Sequence, residues 1–522
     1  MARILVTEKL ADSGITLMET QGHQVDVKLG LSPEELIKEV PGAQALVIRS
    51  ATQVTPEVLA AGSGLVVVGR AGIGLDNVDV EEATRRGVMV VNAPQSNILS
   101  AAEHTIALLL AQARNIPQAH LGLVNGKWER SKWEGVELHG KTLGVVGLGK
   151  VGTLVAQRAL AFGMKLVAYD PYVSQDRARQ LGVELMSIDE LVASSDFMTI
   201  HLPKTPETVG LVGAELLGKA KSSLRIVNTA RGGIIDEEAL AEALRTRKIS
   251  GAALDVFSKE PCTDSPLYSL DNVVVTPHLG ASTVEAQDKA GATIAEQVIL
   301  ALAGDFVPFA VNVAAADASE TIRPFLPLAE KLGRIFASLN DGLPGKLEAS
   351  FQGAIGGYDT RILTLAVLKG LFSVASDEPV SFVNAPQLAQ ERGIEIQESR
   401  TVTVRDYVNL IELRSGTHSI AGTLSGSHNE PRVVMVDGYV VECPPADFLL
   451  FVRNEDRPGM IGLVGTALGE AGVSISSMAV GPPAQGDHAL MVLSTDGPTP
   501  KEVIEKIASQ PGIEEVHSVS AI

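Results

Sequence analysis

The sequence is poor in cysteine, in aromatic residues and in long apolar runs. Two cysteines in 522 residues, Cys262 and Cys443, are too few for a disulfide framework, so we expect both to be packing residues in a reducing cytoplasm. No stretch approaches the roughly 18 uncharged apolar residues that a membrane span requires, so no membrane association is expected. The start, MARILVTEKL, lacks the apolar core of a secretory signal and is interpreted as a first strand.

Positive charge is also scarce. Lysine and arginine number 43 against 62 aspartate and glutamate residues, which gives a formal net charge of -19. Such a chain repels phosphate backbones, so we do not expect nucleic-acid binding, and no metal site is predicted. An anionic small molecule would have to be met by a local cluster of arginines.

The chain is long enough for three or four domains, each with its own core. The first ~95 residues alternate β-rich runs with amphipathic stretches, and a second series of this kind runs from KTLGVVGLGKVG to about residue 282, which predicts α/β folding with parallel sheets. Residues 313–320 are interpreted as a linker. Beyond it, an α+β segment reaches about Cys443, and the tail from Phe448 has the order βαββαβ.

A glycine-rich loop follows the apolar run TLGVV and precedes a helical pattern. Gly147, Gly149 and Gly152 form G-x-G-x-x-G, with Lys150 and Val151 between the last two. The first glycine permits a tight turn, the second lets the backbone approach a pyrophosphate, and the third lets the helix pack closely. The phosphates would meet free N–H groups at the helix N-terminus. The alternative is an ordinary loop in a chain with 50 glycines.

Asp170 ends the next predicted strand, KLVAYD, 18 residues beyond Gly152. At this spacing a carboxylate can bond both hydroxyls of an adenosine ribose, and it would repel a 2′-phosphate. We therefore predict NAD rather than NADP as the cofactor. The alternative makes Asp170 a turn residue before Pro171.

Three further residues follow successive predicted strands: Arg231 after RIVNTA, Glu260 after ALDVFSK, and His278 after NVVVTP. Because the carboxyl ends of strands face the ligand crevice of an open α/β sheet, these side chains should converge. His278 suits a general base, Glu260 would orient its imidazole, and the planar Arg231 would bind a carboxylate. Taken singly, they could instead be a core histidine and a surface ion pair.

The motifs GLGKVG, HLPKTPETVGL, NTARGGIIDEEAL, GAALDVFSKEP and TPHLGAST resemble the D-isomer-specific 2-hydroxyacid dehydrogenases over about residues 1–312. The resemblance implies that Arg231, Glu260 and His278 are catalytic, by removal of a hydride from C2 with the His/Glu pair as base. It implies two doubly wound domains, Rossmann-like or flavodoxin-like: an NAD-binding domain (96–284) inserted into a substrate-binding domain (1–95 and 285–312). Residues implied along the cofactor are Thr229, Ala230, Gly232, Asp255, His278, Gly280 and Ala281.

VIRSAT, VGRAGIGLDNVD, NAPQSNILSAAEHT and GKWERSKWEGVEL resemble the branch of that family that acts on D-3-phosphoglycerate in serine biosynthesis. Arg49, Arg70 and Asn97 match substrate-pocket positions of this branch and would supply the local donors that the acidic chain needs. Residues 315–443 resemble an intervening allosteric substrate-binding domain. Residues 448–522 resemble an ACT domain, a regulatory module that binds amino acids. A homo-oligomer, dimer or tetramer, is expected.

Two other functions remain open. One is another reductase of the family, acting on glycerate or hydroxypyruvate, which would tolerate unphosphorylated substrates. The other is an NAD-sensing, corepressor-like protein without catalysis, which would not need an amino-acid-binding tail.

The tail departs from the pattern it resembles. The resemblance implies that a serine effector is held by Asp456 of the D-R-P-G turn and by an asparagine at the start of the next strand, but Ser474 stands at that second position. A serine hydroxyl cannot offer the paired donor and acceptor of a carboxamide. We expect two tails to pair edge to edge and serine to inhibit weakly or not at all. The alternative makes Ser474 a plain strand residue of a tail that only dimerises.

Overall fold

A computed structural model of the protein describes residues 1–313, 319–340, 342–375, 380–482 and 487–520. Residues 314–318, most of the predicted linker, lie outside the described residues. Within these ranges, the longest and most apolar helices still fall short of what a membrane crossing needs.

The N-terminal part of the chain forms a parallel five-stranded sheet, as the alternating pattern predicts. Its strands are β1 (Arg3–Val6), β2 (Gln24–Val27), β3 (Ala45–Ile48), β4 (Val67–Arg70) and β5 (Met89–Asn92). Their order, β2-β1-β3-β4-β5, is that of flavodoxin-like doubly wound folds. The central strands are buried on both faces because helices cover both sides, which is why they are nearly continuous apolar runs.

Four helices connect these strands: α1 (Asp12–Thr20), α2 (Pro33–Glu39), α3 (Pro56–Ala61) and α4 (Val80–Arg85). Ser32 caps α2 with a capping box, in which its hydroxyl accepts from the Glu35 amide and the Glu35 carboxylate accepts from the Ser32 amide. Thr55 occupies the corresponding position before α3, but its side chain makes no capping hydrogen bond. A proline in the first turn leads both helices, and only Ser32 supplies a side-chain cap.

A second parallel sheet has seven strands in the order β12-β11-β10-β9-β6-β7-β8. Its strands are β6 (Thr142–Val146), β7 (Lys165–Tyr169), β8 (Glu184–Leu185), β9 (Phe197–Ile200), β10 (Arg225–Asn228), β11 (Gly251–Leu254) and β12 (Val273–Val275). Its helices are α5 (Ile98–Ala113), α6 (Ile116–Val124), α7 (Lys150–Ala161), α8 (Gln175–Gln180), α9 (Ile188–Ser194), α10 (Ala214–Gly218) and α11 (Glu237–Arg245). The strand order reverses between β6 and β9, where Rossmann folds bind dinucleotides.

The chain passes between the two sheets twice, through α5 and through α12 (Val284–Ala303). Helix α5 packs on α7 and on strands of the second sheet, whereas α12 returns to the first sheet and packs on α1 and β4. The approach of α12 is close: a Cβ on Gly69 would lie 2.9 Å from Ile294, and one on Gly14 would lie 2.6 Å from the carbonyl oxygen of Gly291. These two crossings hold the carboxyl ends of both sheets around one cleft.

The next part of the chain is a mixed six-stranded sheet covered by helices. Its strands are β13 (Lys346–Gly353), β14 (Glu395–Thr401), β15 (Asn409–Ser415), β16 (His418–Ser425), β17 (Glu430–Val436) and β18 (Tyr439–Cys443), and its helices are α13 (Leu326–Leu339), α14 (Arg361–Ser373) and α15 (Ala385–Glu391). Only β13 and β14 pair in parallel; the other pairs are antiparallel. The α+β prediction for this part of the chain is confirmed.

The tail has the predicted order βαββαβ. Its elements are β19 (Phe448–Glu455), α16 (Met460–Glu470), β20 (Ile475–Gly481), β21 (His488–Thr495), α17 (Lys501–Ala508) and β22 (Ile513–Ser520), in an antiparallel sheet ordered β20-β21-β19-β22. Alternate residues of β19 face opposite sides, as the strand period requires. Leu450 and Val452 pack under α16 and α17, while Leu449 and Phe451 join the apolar core that contains α13.

The contact between α1 and α12 predicts a difference between two helical glycines. Gly14→Ala should destabilise the protein by about 1–3 kcal/mol, because the new methyl group meets the backbone of Gly291. Gly462→Ala, in α16 with open space around it, should instead add about 0.5–1 kcal/mol through helix propensity. Calorimetric unfolding measures both shifts. Equal effects of the two substitutions would contradict the close approach of α12.

Candidate active site

The side chains of His278 and Glu260 are in direct contact, with 2.6 Å between Nδ1 of the histidine and Oε2 of the glutamate. Both follow adjacent strands, β12 and β11, and half of the imidazole surface remains open to solvent. The other carboxylate oxygen of Glu260 accepts from the Phe257 amide at 2.9 Å. Burial by itself would raise the pKa of Glu260, but these two hydrogen bonds hold the pKa below its ordinary value. The glutamate is therefore ionised and fixed on both oxygens.

Asp255 follows β11 and is fully buried. Its carboxylate accepts from the Thr276 hydroxyl at 2.6 Å and from the amides of Leu279 and Gly280 at 2.7 and 2.8 Å. Burial would raise the pKa of Asp255, yet these bonds and one from His104 keep the pKa low. The buried charge thus binds the backbone on either side of His278 to the end of β11.

Arg231 lies in the loop after β10, the strand next to β11. Asn228 shapes this loop, because its side chain accepts from the Ala230 amide and donates to the carbonyl of Arg231, both at 3.0 Å. The Arg231 guanidinium donates to the Ala230 carbonyl at 2.7 Å and lies 3.6 Å from the carboxylate of Asp76, in the loop after β4. The arginine therefore reaches from the second sheet to the first.

A cleft of about 660 Å³ lies between the two sheets, and its lining includes the catalytic and substrate-binding candidates Arg49, Arg70, Asn97, Glu260 and His278. The cofactor candidate Ala281 also lines it, whereas Arg231 does not. Among the described residues, Nε of Arg70 and Oδ1 of Asn97 are buried polar atoms without a hydrogen-bond partner. Burial and the nearby charge of Arg231 lower the pKa of Arg70 to about 10, so it stays cationic at neutral pH.

The glycine-rich loop has the geometry that each glycine position demands. Gly147 has φ of +94°, and a Cβ there would lie 2.7 Å from the His201 carbonyl oxygen. A Cβ on Gly152 would lie 2.1 Å from the Gly147 carbonyl oxygen. Gly149, by contrast, faces open space and is the N-cap of α7, whose first residues are Lys150 and Val151. Gly147 and Gly152 are thus packed against neighbouring backbone, whereas Gly149 leaves free space in front of the helix N-terminus.

Asp170, at the end of β7, accepts from the Leu148 amide in the glycine-rich loop at 2.8 Å and from the amides of Tyr172 and Val173 at 2.9 and 3.2 Å. The turn that was the alternative interpretation of Asp170 is therefore present. The same carboxylate also lies beside the loop, so the turn and a place at the dinucleotide site are compatible.

Comparison with known families supports the same division of the chain. Residues 106–280 match the NAD-binding domain of D-isomer-specific 2-hydroxyacid dehydrogenases, 321–437 match the D-3-phosphoglycerate dehydrogenase intervening domain, and 448–512 match the ACT domain. The D-3-phosphoglycerate dehydrogenase of Mycobacterium tuberculosis is 48% identical over 513 residues, 97% of each chain. The chain belongs to the D-3-phosphoglycerate dehydrogenase family.

Solved structures match about three fifths of the chain. A Thermus thermophilus protein is 36% identical, with a TM-score of 0.56 over 59% of this chain and 99% of its own. The NAD-dependent formate dehydrogenase of Staphylococcus aureus in complex with NAD is 31% identical, with a TM-score of 0.52 over 57% and 95% of the two chains. The expected NAD-binding fold is confirmed.

The glycine-rich loop fits NAD in this family member. Of the three glycines in this loop, only Gly149 leaves space where a pyrophosphate would approach. The first amides of α7 point along the helix axis toward that space. The Asp170 carboxylate lies at the end of the neighbouring strand, where both oxygens accept from backbone amides, and no basic side chain bonds to it in the described part of the chain. These features suit the hydroxyls of an adenosine ribose and disfavour a 2′-phosphate.

The other cofactor candidates lie in the loops after β10, β11 and β12. The Thr229 hydroxyl is 2.6 Å from that of Thr105 in α5. Packing alone requires glycine at position 232, because a Cβ there would lie 1.7 Å from the Phe257 carbonyl oxygen. Gly280 is buried against Asp255. Together with Ala230 and Ala281, they are residues whose contact with NAD is still a proposal.

The two effector candidates lie in the tail, remote from the cleft in sequence and in fold. Asp456 directly follows β19, and its amide donates to the Asp487 carbonyl at 2.7 Å. Ser474 directly precedes β20 and is exposed; its amide donates to the Asp496 carboxylate at 3.1 Å. No contact joins them to Arg231, Glu260 or His278 among the described positions.

Sequence reasoning missed the residues that hold the loops. Glu8, at the end of β1, accepts from the amides of Arg49, Ala51 and Thr52 at 2.8, 3.1 and 2.9 Å and so fixes the Arg49 loop. Asn228 does the same for Arg231. The one available signal was their position, a polar residue at the carboxyl end of an apolar strand.

The Asp170 geometry predicts a change in cofactor choice. Asp170→Ala should narrow the gap between NAD and NADP by removing both repulsion and a ribose hydroxyl bond. Asp170→Asn keeps an oxygen for the turn amides and should shift the preference with less loss of stability. Dissociation constants of the two cofactors, measured for all three proteins, test this. An unchanged ratio in both variants would show that discrimination lies elsewhere.

Proposed function

We propose that this protein oxidises D-3-phosphoglycerate to 3-phosphohydroxypyruvate with NAD, the first step of serine biosynthesis. The observation that carries the proposal is one cleft that combines an oriented His278–Glu260 pair with the buried cation Arg70 and with Arg49 and Asn97. The substrate carries a phosphate and a carboxylate, and an acidic chain can bind it only where several such donors converge.

His278 is the proposed base. An ionised Glu260 can only accept, so the proton of the imidazole belongs on Nδ1 and the lone pair on Nε2. Nε2 then takes the proton of the C2 hydroxyl, and Glu260 stabilises the imidazolium that forms. When bound, NAD supplies the acceptor for the hydride that leaves C2.

Arg231 and Arg70 are the proposed anion-binding residues. Their charges are close enough to lower the pKa of Arg70, so an anion between them would relieve repulsion as well as form hydrogen bonds. Arg231 is assigned to the substrate carboxylate because its planar fork allows two parallel bonds. Arg49 and Asn97, which line the same cleft, are assigned to the phosphate end.

The domain assignment follows from the same proposal: substrate binding by 1–95 and 285–312, NAD binding by 96–284, and regulation by 315–443 and 448–522.

A homo-oligomer is proposed as well. Helix α6 has no buried residue, and Leu121, Leu123 and Val124 are each more than half exposed, next to the exposed Trp128. A surface helix normally buries one apolar face, and a second copy of the chain would cover this one.

The proposal predicts NADH formation with D-3-phosphoglycerate and little with D-glycerate, because only the phosphorylated acid satisfies the arginines.

His278→Asn should keep NAD binding and lower turnover by about 10²–10⁴-fold, the contribution of a general base. Arg231→Lys should not restore substrate affinity, since an ammonium cannot replace the fork. Steady-state absorbance at the NADH band measures all three.

Equal rates with the unphosphorylated acid would instead favour a glycerate or hydroxypyruvate reductase. Absence of NADH with every 2-hydroxy acid, despite NAD binding, would favour a non-catalytic sensor. Near-normal turnover of His278→Asn would remove this residue from the mechanism.

The tail is proposed to bind an amino acid poorly. Ser474 lacks the carboxamide expected there, and losing one or two hydrogen bonds costs about 1–3 kcal/mol, roughly 5- to 150-fold in affinity. Free serine should therefore inhibit weakly or not at all, and Ser474→Asn should strengthen inhibition. Inhibition curves for the two proteins measure this. Micromolar inhibition of the unmodified chain, abolished by Asp456→Ala, would overturn it.

A further inference from the structure

One face of α5 carries three polar side chains, Ser100, His104 and Thr105, that bond to the loops around the active site. Ser100 lies 2.7 Å from the Thr283 hydroxyl, and Thr105 lies 2.6 Å from that of Thr229. His104 lies between them. Helix α5 is also the first crossing between the two sheets, so this face joins the crossing to the catalytic loops.

The imidazole of His104 meets both the Thr276 hydroxyl and the Asp255 carboxylate. Its Nε2 is 3.1 Å from Oγ1 of Thr276 and 3.2 Å from Oδ1 of Asp255. The single hydroxyl proton of Thr276 is donated to Asp255 at 2.6 Å, so its oxygen can only accept from His104. Two acceptors thus face Nε2, and the ring must carry its proton there.

Asp255 transmits this contact to His278. Its carbonyl accepts from the His278 amide at 2.8 Å, and its carboxylate accepts from the amides of Leu279 and Gly280. His278 itself has φ of +56°, a left-handed conformation that is unfavourable for a residue with a Cβ and persists only where the surroundings hold it. The Asp255 bonds are what holds it.

We propose that His104 is a positioning residue for the reaction: through its Nε2 proton it fixes the Asp255 carboxylate and Thr276, and through them the backbone that aims His278. His104 touches neither Glu260 nor His278 in the described contacts, so its effect reaches the base only through this chain of hydrogen bonds. The inference rests on the proposed function, because His278 must be the base for its aim to matter.

Four variants separate this role from simple packing. His104→Leu fills the space without a donor, and His104→Gln retains an N–H near the position of Nε2. His428→Gln, an exposed histidine in the turn after β16, is the control. Thr276→Val removes the bridging hydroxyl and serves if His104→Leu fails to fold. The readouts are kcat, KM for each substrate, and hydrogen exchange of the segment 276–283 in the cofactor-free protein.

We expect His104→Leu and Thr276→Val to lower kcat about 10- to 100-fold, with KM for 3-phosphoglycerate changing less than about threefold, because misaiming a base by about 1 Å costs up to 10²-fold. Exchange of the Leu279 and Gly280 amides should speed up. His104→Gln should recover both kcat and protection to within about threefold. Unchanged kcat and exchange in His104→Leu, or equal losses in the leucine and glutamine variants, would overturn the inference. An inactive wild-type chain would instead refute the proposed function, and the exchange experiment would still decide the contact.

Discussion

The buried carboxylate of Asp255 is the interaction on which the active-site loops depend. A fully buried charge is costly unless its oxygens are bonded, and here a hydroxyl, two amides and an imidazole are gathered around it. Satisfying the charge therefore dictates where the backbone of residues 276–280 must lie. His278 lies within this backbone, with φ of +56° and with its imidazole in contact with Glu260.

Electrostatics make the cleft different from the rest of the molecule. The chain as a whole is acidic, with a net charge of -19, yet Arg231 is held close enough to Arg70 to lower the pKa of the Arg70 guanidinium. Such repulsion persists in the folded protein because Glu8, Asn228 and the crossings α5 and α12 fix the loops that carry these arginines. An anion that enters the cleft can accept from Nε of Arg70 and so pair this buried donor.

The mixed-sheet domain and the tail domain pack against each other. Leu449 and Phe451 of the tail belong to the same apolar cluster as α13. One face of the tail sheet therefore packs against the helices that cover the mixed sheet. A polar junction adds to it: Asp437 contacts both His418 and Arg453, at 3.1 and 3.2 Å, and Arg453 reaches Glu515 at 3.4 Å. The tail and the intervening sheet therefore share both an apolar core and a network of ion pairs.

The sequence by itself determined the fold class, the order of elements and the residue types at the strand ends. The glycine spacing, the acidic residue after β7, and Arg231, Glu260 and His278 after successive strands are local patterns, and strand ends in a parallel sheet converge whatever the rest of the chain does. Only the tertiary structure decided which residues hold these groups in place. His104 and Thr276 are 172 positions apart and Glu8 and Arg49 are 41 apart, so their contacts depend on strand order and on the path of α5, which no local pattern encodes. The same reason explains Gly232, whose close approach to Phe257 arises from two loops that meet only after the sheet has formed.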